Sequence, residues 1–211
     1  MTWLRRNRLG LILLPVALTL ALAASSSRLV HFWLPYVASD VQKGTVGAPV
    51  HLEQEWIDHA GTHTRSVEVT IHGIDKTSVV RDFDGEDVES HGPTGTAVWR
   101  VSLSLAADAD QVLRGCQLEV EDTEGRRYLF GSASTTPTDV KASPCLNPQE
   151  EGPEGDFFGT GPSTPDPEDR PRPAQWDTVA DVILAGDAVP AKVRLWWEMP
   201  VVIIVPVTPT S

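Results

Sequence analysis

Period-two alternation of apolar and polar residues recurs along this chain, and it restricts the fold to one built from strands. Val50, Leu52 and Trp56 alternate with His51, Glu53 and Glu55. Val67, Val69 and Ile71 alternate with Ser66, Glu68 and Thr70, and Trp99, Val101, Leu103 and Leu105 with Arg100, Ser102 and Ser104. Cys116, Leu118 and Val120 alternate with Gln117, Glu119 and Glu121. Asp122 to Gly125 then has turn chemistry, and Arg127 to Phe130 returns as the second arm of a hairpin. Ala180, Val182 and Leu184 continue the pattern, as do Val193, Leu195 and Trp197 against Lys192, Arg194 and Trp196. Val201 to Val207 is an apolar run bounded by Pro200 and interrupted by Pro206, too short to cross a bilayer. It is expected as a strand buried on both faces, or as an edge covered by a partner. Nothing after Tyr36 carries a helical period. About eight short strands separated by turns predict an all-β, antiparallel β-sandwich, apolar inside and polar outside.

The N-terminus obeys a different rule. Leu9 to Ser27 is uncharged, LGLILLPVALTLALAASSS, and as a helix at about 1.5 Å per residue it matches the thickness of a bilayer core. Arg5, Arg6 and Arg8 precede it and Arg28 alone follows. This bias predicts a cytoplasmic N-terminus and a C-terminal domain outside the plasma membrane. Phe32, Trp33 and Tyr36 have the character of an interfacial belt. The expected organisation is a basic cytoplasmic stretch at 1–8, an anchor and interfacial segment at 9–36, and the sandwich at 37–211. The alternative is a secretory signal cleaved near Ala23, because Ala21-Leu22-Ala23 fits the small-residue rule.

Charge agrees with an external domain. All 29 acidic residues, but only 13 of the 17 Lys and Arg, lie from Asp40 onward. Such a surface repels phosphate backbones, so nucleic acid is not an expected partner. Cys116 and Cys145 both lie in this part, and an oxidising compartment predicts one disulfide, with buried free thiols as the alternative. By loop entropy the bridge contributes about 3 kcal/mol. Residues 147–173, NPQEEGPEGDFFGTGPSTPDPEDRPRP, are rich in Pro, Gly and acid and lack periodicity. They are expected to form a disordered or extended loop between strands, with Phe157-Phe158 its one apolar feature and a candidate docking motif.

The segments VEVTIHGI, VWRVSLSLAADAD, CQLEVEDTEGRRYLF and WDTVADVILAGDAVPAKVRLWWE follow an arrangement similar to a known one. It resembles the secreted or anchored immunoglobulin-like domains of unknown function of Gram-positive bacteria, whose fold a small immunogenic secreted mycobacterial protein shares. The residues carrying the resemblance are Asp122, Gly125, Arg126 and Tyr128, like that family's D-x-x-G-x-x-Y hairpin, and Ala185-Gly186 through Pro190 to Leu195. It spans Val46 to Val207, with the acidic loop as an insertion. Ala106-Ala107-Asp108 departs from the Asn-rich strand ending usual there. The resemblance implies an immunoglobulin-like sandwich outside the cytoplasm, often anchored. It implies no enzymatic activity and carries over no site residue.

Candidate sites are few. Trp196 and Trp197 are consecutive and so point to opposite faces of a strand. Trp197 is in phase with the core, which leaves Trp196 partly exposed beside Lys192 and Arg194 as a candidate partner-binding spot. His59 and His63 are four apart, a metal spacing on a helix. Ala60-Gly61 between them reads as a hairpin turn, which makes His63 a cross-strand partner of Asp58 instead. The DFDGED run at 82–87 is acidic enough for calcium, but Gly85 falls one place too early for the EF-hand pattern. The sequence contains no GxSxG, SxxK, HExxH or P-loop pattern. The expectation is a non-catalytic interaction or accessory domain that needs no cofactor and engages a membrane or envelope protein. A ligand or metal carrier is the alternative, and an envelope hydrolase without a recognisable motif a remote one.

Overall fold

The alternating segments do form strands. A computed structural model describes residues 3, 6–28, 30, 33–82, 85–90, 92–131, 143–147, 149–156, 159 and 171–209. A helix, α1 (Arg8–Arg28), precedes strands β1 (Asp40–Lys43), β2 (Val50–Asp58), β3 (Gly61–Thr77), β4 (Val79–Arg81), β5 (Asp87–Glu89) and β6 (Thr96–Ala106). β7 (Gln117–Asp122), β8 (Arg127–Leu129), β9 (Gln175–Ala185), β10 (Pro190–Trp196) and β11 (Val201–Pro206) complete the fold.

Two sheets pack face to face. One has five strands in the order β1-β11-β10-β7-β8, and the other four in the order β2-β3-β6-β9. Their inner faces supply one core, in which Leu52, Val69, Ile71, Val101, Leu103, Leu118, Val120, Val182, Leu184, Val193 and Leu195 are buried. The chain is thus a β-sandwich preceded by one apolar helix long enough to cross a membrane. The pairing is antiparallel except at one edge, where β1 runs parallel to β11 with Asp40 opposite Val201. The sequence reading did not anticipate β1, β4 or β5. β1 answers the question raised by the apolar run, because β11 lies between β1 and β10 and both Val202 and Ile203 are buried.

One break in the alternation has a local cause. Ile71 pairs with Leu103 and Gly73 with Ser102, so His72 is an extra residue in β3. The bulge shifts the inward phase from Val67, Val69 and Ile71 to Ile74 and leaves His72 on the outer face. At the turn from β9 to β10, the Gly186 N–H donates to the Gly95 carbonyl at 2.7 Å. A Cβ on Gly186 would sit 2.9 Å from that oxygen, so only glycine permits the approach.

Candidate functional site

One end of the sandwich departs from a plain apolar core. Strand β3 overhangs β6 there, since the β3–β6 pairing begins only at Glu68. Arg65 lies in the inward phase of this overhang and is 1% exposed. Its guanidinium stacks 5.2 Å from the ring centre of Trp56 and 5.7 Å from that of Trp197. Nε donates to the Val112 carbonyl at 2.9 Å, while Nη1 has no partner among the described residues. Burial pushes the Arg65 pKa down to about 10, against the pull of Glu198, so the side chain still carries its charge at neutral pH. Gln54, its register partner on β2, donates to the Glu198 carbonyl.

A second buried arginine does related work from the acidic segment. Arg172 stacks 4.8 Å from the ring centre of Trp176 and donates to the carbonyls of Gln111 and Asp108. The Gln111 side chain accepts from the Ser66 N–H, and the Trp197 Nε1–H donates to the Leu113 carbonyl. Two inward cations and one indole therefore hold the 107–116 connection by its carbonyl oxygens. The Cys116–Cys145 disulfide closes the same end, with Trp176 Nε1–H donating to the Cys145 carbonyl.

The described part of the acidic loop has no helix or strand, yet it is tied to this end. Arg114 bonds Glu151 and Glu154. The Asp156 N–H donates to Asp58 Oδ2 at 2.9 Å, and the Asp156 carbonyl accepts from the His59 N–H at 3.0 Å. The Asp58 side chain, 3% exposed, also accepts from the backbone of Ala60 and Gly61 and from His63 Nε2. Burial alone would raise the Asp58 pKa, but the His63, Asp156 and Ala60 hydrogen bonds outweigh it and hold the carboxyl below its usual range.

The sequence-derived candidates fare differently. Trp197 is buried and Trp196 half-buried. The basic neighbours expected beside Trp196 are not free charges, since Arg194 Nη1 bonds Glu119 at 2.6 Å and Lys192 bonds Glu121 at 2.6 Å. Phe157 and Phe158 lie outside the described residues. His63 does bond Asp58, but its register partner is Trp56, on which it stacks at 4.7 Å. The turn is His59-Ala60, one residue earlier than read, and Asp58 pairs with Gly61. Among the described residues no group of three or more His, Cys, Asp or Glu is placed to hold a metal ion.

Of the acidic run at 82–87, Phe83 and Asp84 lie outside the described residues, and the rest joins β4 to β5. Asp82 caps the turn by accepting from the Glu86 N–H, and Asp87 accepts from Arg81 and Arg100. Those hydrogen bonds, Arg100's first, hold the Asp87 carboxyl below its usual range. Arg100 also forms a two-pronged pair with Asp181, Nε–Oδ1 2.7 Å and Nη2–Oδ2 2.9 Å. The network fastens the β4–β5 hairpin to the outer face of the four-stranded sheet.

Two further polar clusters remain, the first in the turn that the sequence predicts at Asp122 to Gly125. Buried Asp122 accepts from the backbone of Glu124 and Arg126 and from Arg126 Nε, and so closes the β7–β8 turn. On the outer face of the four-stranded sheet, the His72 bulge brings its ring onto Ser104, whose hydroxyl donates to Asp177 at 2.6 Å. A Ser, a His and an Asp do meet there, but the hydroxyl sits in the middle. Activation of a serine needs the imidazole between the two, and here the hydroxyl donates to the carboxylate directly, at an open sheet surface.

The comparisons with known proteins add little to this geometry. No family model matches the chain. No curated protein matches it. Among solved structures it is similar to an uncharacterized beta-sandwich protein from Clostridium difficile 630, at 10% identity and a TM-score of 0.39, covering 80% of this chain and 96% of that one.

Proposed function

We propose that this protein is a non-catalytic, single-pass interaction or accessory domain displayed outside the plasma membrane. The observation that carries the reading is the direct succession of α1, uncharged from Leu9 to Ser27 and flanked by arginines, and an acidic, disulfide-closed sandwich. The positive charge before α1 favours a cytoplasmic N-terminus. The disulfide suits an oxidising compartment. The clustered polar residues are spent on holding turns and loops, and the His72–Ser104–Asp177 chain has the wrong order for nucleophilic catalysis. Half-buried Trp196 is the residue best suited to meet a partner protein. The D-x-x-G-x-x-Y hairpin at Asp122–Tyr128 favours kinship with the immunoglobulin-like anchored domains of Gram-positive bacteria.

Fusing alkaline phosphatase after Ser211 tests the topology. An active fusion recovered in the membrane fraction, with the intact mass retaining residues 1–23, fits the reading. An inactive fusion sinks it. Cleavage after Ala23 converts it to the second reading, a secreted domain, which Ala21-Leu22-Ala23 favours. A photo-crosslinker at position 196 tests the partner role. Crosslinks no stronger there than at an exposed control such as Thr62 would remove Trp196 from it.

A further inference from the structure

The direction in which the chain joins the sandwich fixes which end lies nearest α1. Asp40, the first residue of β1, pairs with Val201, and its N–H donates to the Pro200 carbonyl. The chain therefore enters where β10 turns into β11. β10 ends there at Trp196, opposite Gln117 at the start of β7, which places the disulfide at this end. Gln54 reaches the Glu198 carbonyl, and Arg65 stacks on Trp197, so the β2–β3 turn at His59-Ala60 lies at the same end. The loops 107–116 and 149–156 cover it. The turns at Gly125, Gly186 and Gly95 lie at the opposite end.

Reversing this arrangement would use up the whole reach of the linker. Between Arg28 and Asp40 the chain spans at most about 40 Å if fully extended. The turn Leu34–Tyr36, closed by the Val37 N–H on the Leu34 carbonyl, takes up part of that reach. β9 alone has 11 residues, and a strand of that length is about 36 Å long. Bringing the far end to α1 would stretch the whole linker along the sandwich and pull exposed Trp33, Leu34 and Tyr36 away from the membrane interface they suit.

We propose that the sandwich stands on the bilayer with its disulfide-closed end down. The surface made by His59-Ala60, the 107–116 and 149–156 loops and Glu198 to Pro200 then faces the lipid headgroups. This rests on α1 spanning the membrane. The surface presents exposed Asp108, Asp110, Glu154 and Glu198, while Arg114 is occupied by Glu151 and Glu154. Such a surface does not insert among anionic headgroups. It stands over them across a layer of counter-ions about a Debye length thick. Trp196 lies at this end, so a protein that engages it is itself embedded in the membrane or held close to it.

The test uses the full chain in nanodiscs of phosphatidylcholine and phosphatidylglycerol that carry an acceptor dye on the headgroups. A donor is placed at Ala60→Cys or Gln149→Cys for the near end, and at Glu124→Cys or Asp187→Cys for the far end. Energy transfer several-fold stronger from both near positions is the expected result. Equal or stronger transfer from the far positions overturns the orientation. A nitroxide quencher at acyl-chain depth, read at Leu13→Cys, separates the two ways to fail. Quenching at Leu13 with the wrong order of transfer rejects the orientation alone. No quenching at Leu13 rejects the anchor, and the orientation with it.

Discussion

Arg65 donates its Nε–H to the Val112 carbonyl at 2.9 Å, linking the inward face of β3 to a loop 47 residues further along the chain. Among the described residues the guanidinium has no carboxylate in hydrogen-bond contact, and it is held by that carbonyl and two indole rings. Its long stem also fills space between the sheets. Arg65→Ala is expected to lose packing and stacking together and to cost about 3 kcal/mol or more. Arg65→Met keeps most of the volume and removes a costly buried charge, so its loss should be about 1 kcal/mol or less. Urea denaturation of the two variants decides the matter. Equal losses would mean that charge, not packing, is what this position supplies.

The disulfide anchors the same end from the other side. Cys116 and Cys145 are 29 residues apart and both are buried. By loop entropy, removing the bridge costs about 3–4 kcal/mol. A Cys116→Ala, Cys145→Ala double variant should lose that amount and become protease-sensitive first in residues 107–116, which the bridge fixes beside Trp176. Limited proteolysis followed by mass spectrometry locates the first cut. A first cut in the turn at Gly125 would contradict the account.

The strands that were legible in the sequence are those with one face in water. There, burial writes a period of two, as in Leu52-Glu53 and Leu118-Glu119. β1 was not legible because Asp40-Val41-Gln42-Lys43 is a polar edge strand whose pairing partner lies at the far end of the chain. Arg65 and Gln54 sit in the inward phase of β3 and β2, where in sequence Arg65 marks an end of the apolar pattern and Gln54 a gap in it. Only their neighbours in space, Trp197 and the Val112 carbonyl, show them as part of the core. Arg172 was hidden in an acidic, Pro-rich stretch for the same reason. Trp196 and the disulfide were legible because adjacent Trp residues and a Cys pair carry their geometry with them. The partners of Asp58 were not, since Asp156 is 98 residues away.

Acid should destabilise the domain through a small set of carboxylates. Asp87 is held below its usual pKa by Arg100 and Arg81, and Glu121 by Lys192. Asp122 is lowered too, its burial outweighed by hydrogen bonds from Arg126 and Glu124. Each group therefore binds fewer protons folded than unfolded. The stability they add is complete above the ordinary pKa values, 3.8 for Asp and 4.5 for Glu, and is lost as pH falls through the lower folded values. Melting temperatures should be flat above about pH 5 and fall below about pH 4. Asp122→Asn should melt lower at neutral pH and show a shallower fall in acid. An unchanged acid slope would remove Asp122 from the account.

β1 protects β11. The run Val201-Val202-Ile203-Ile204-Val205 would be an edge strand if Asp40–Lys43 were not paired with it. An uncharged, β-branched edge with free N–H and C=O groups is a template for pairing with other chains. A chain that starts at Gly44 should therefore oligomerise or aggregate, whereas one that starts at Ala24 retains β1 and should be monomeric and soluble. Light scattering on the two purified chains measures this directly. The Gly44 chain also loses the contact of its own edge, so a second variant isolates the backbone pairing. Gln42→Pro keeps the length of β1 and, since Gln42 shares the phase in which Asp40 and Gly44 donate to β11, removes an N–H from the ladder. It should shift the chain towards the same aggregated state. A monomeric Gln42→Pro chain with unchanged stability would show that β1 is not what keeps β11 covered.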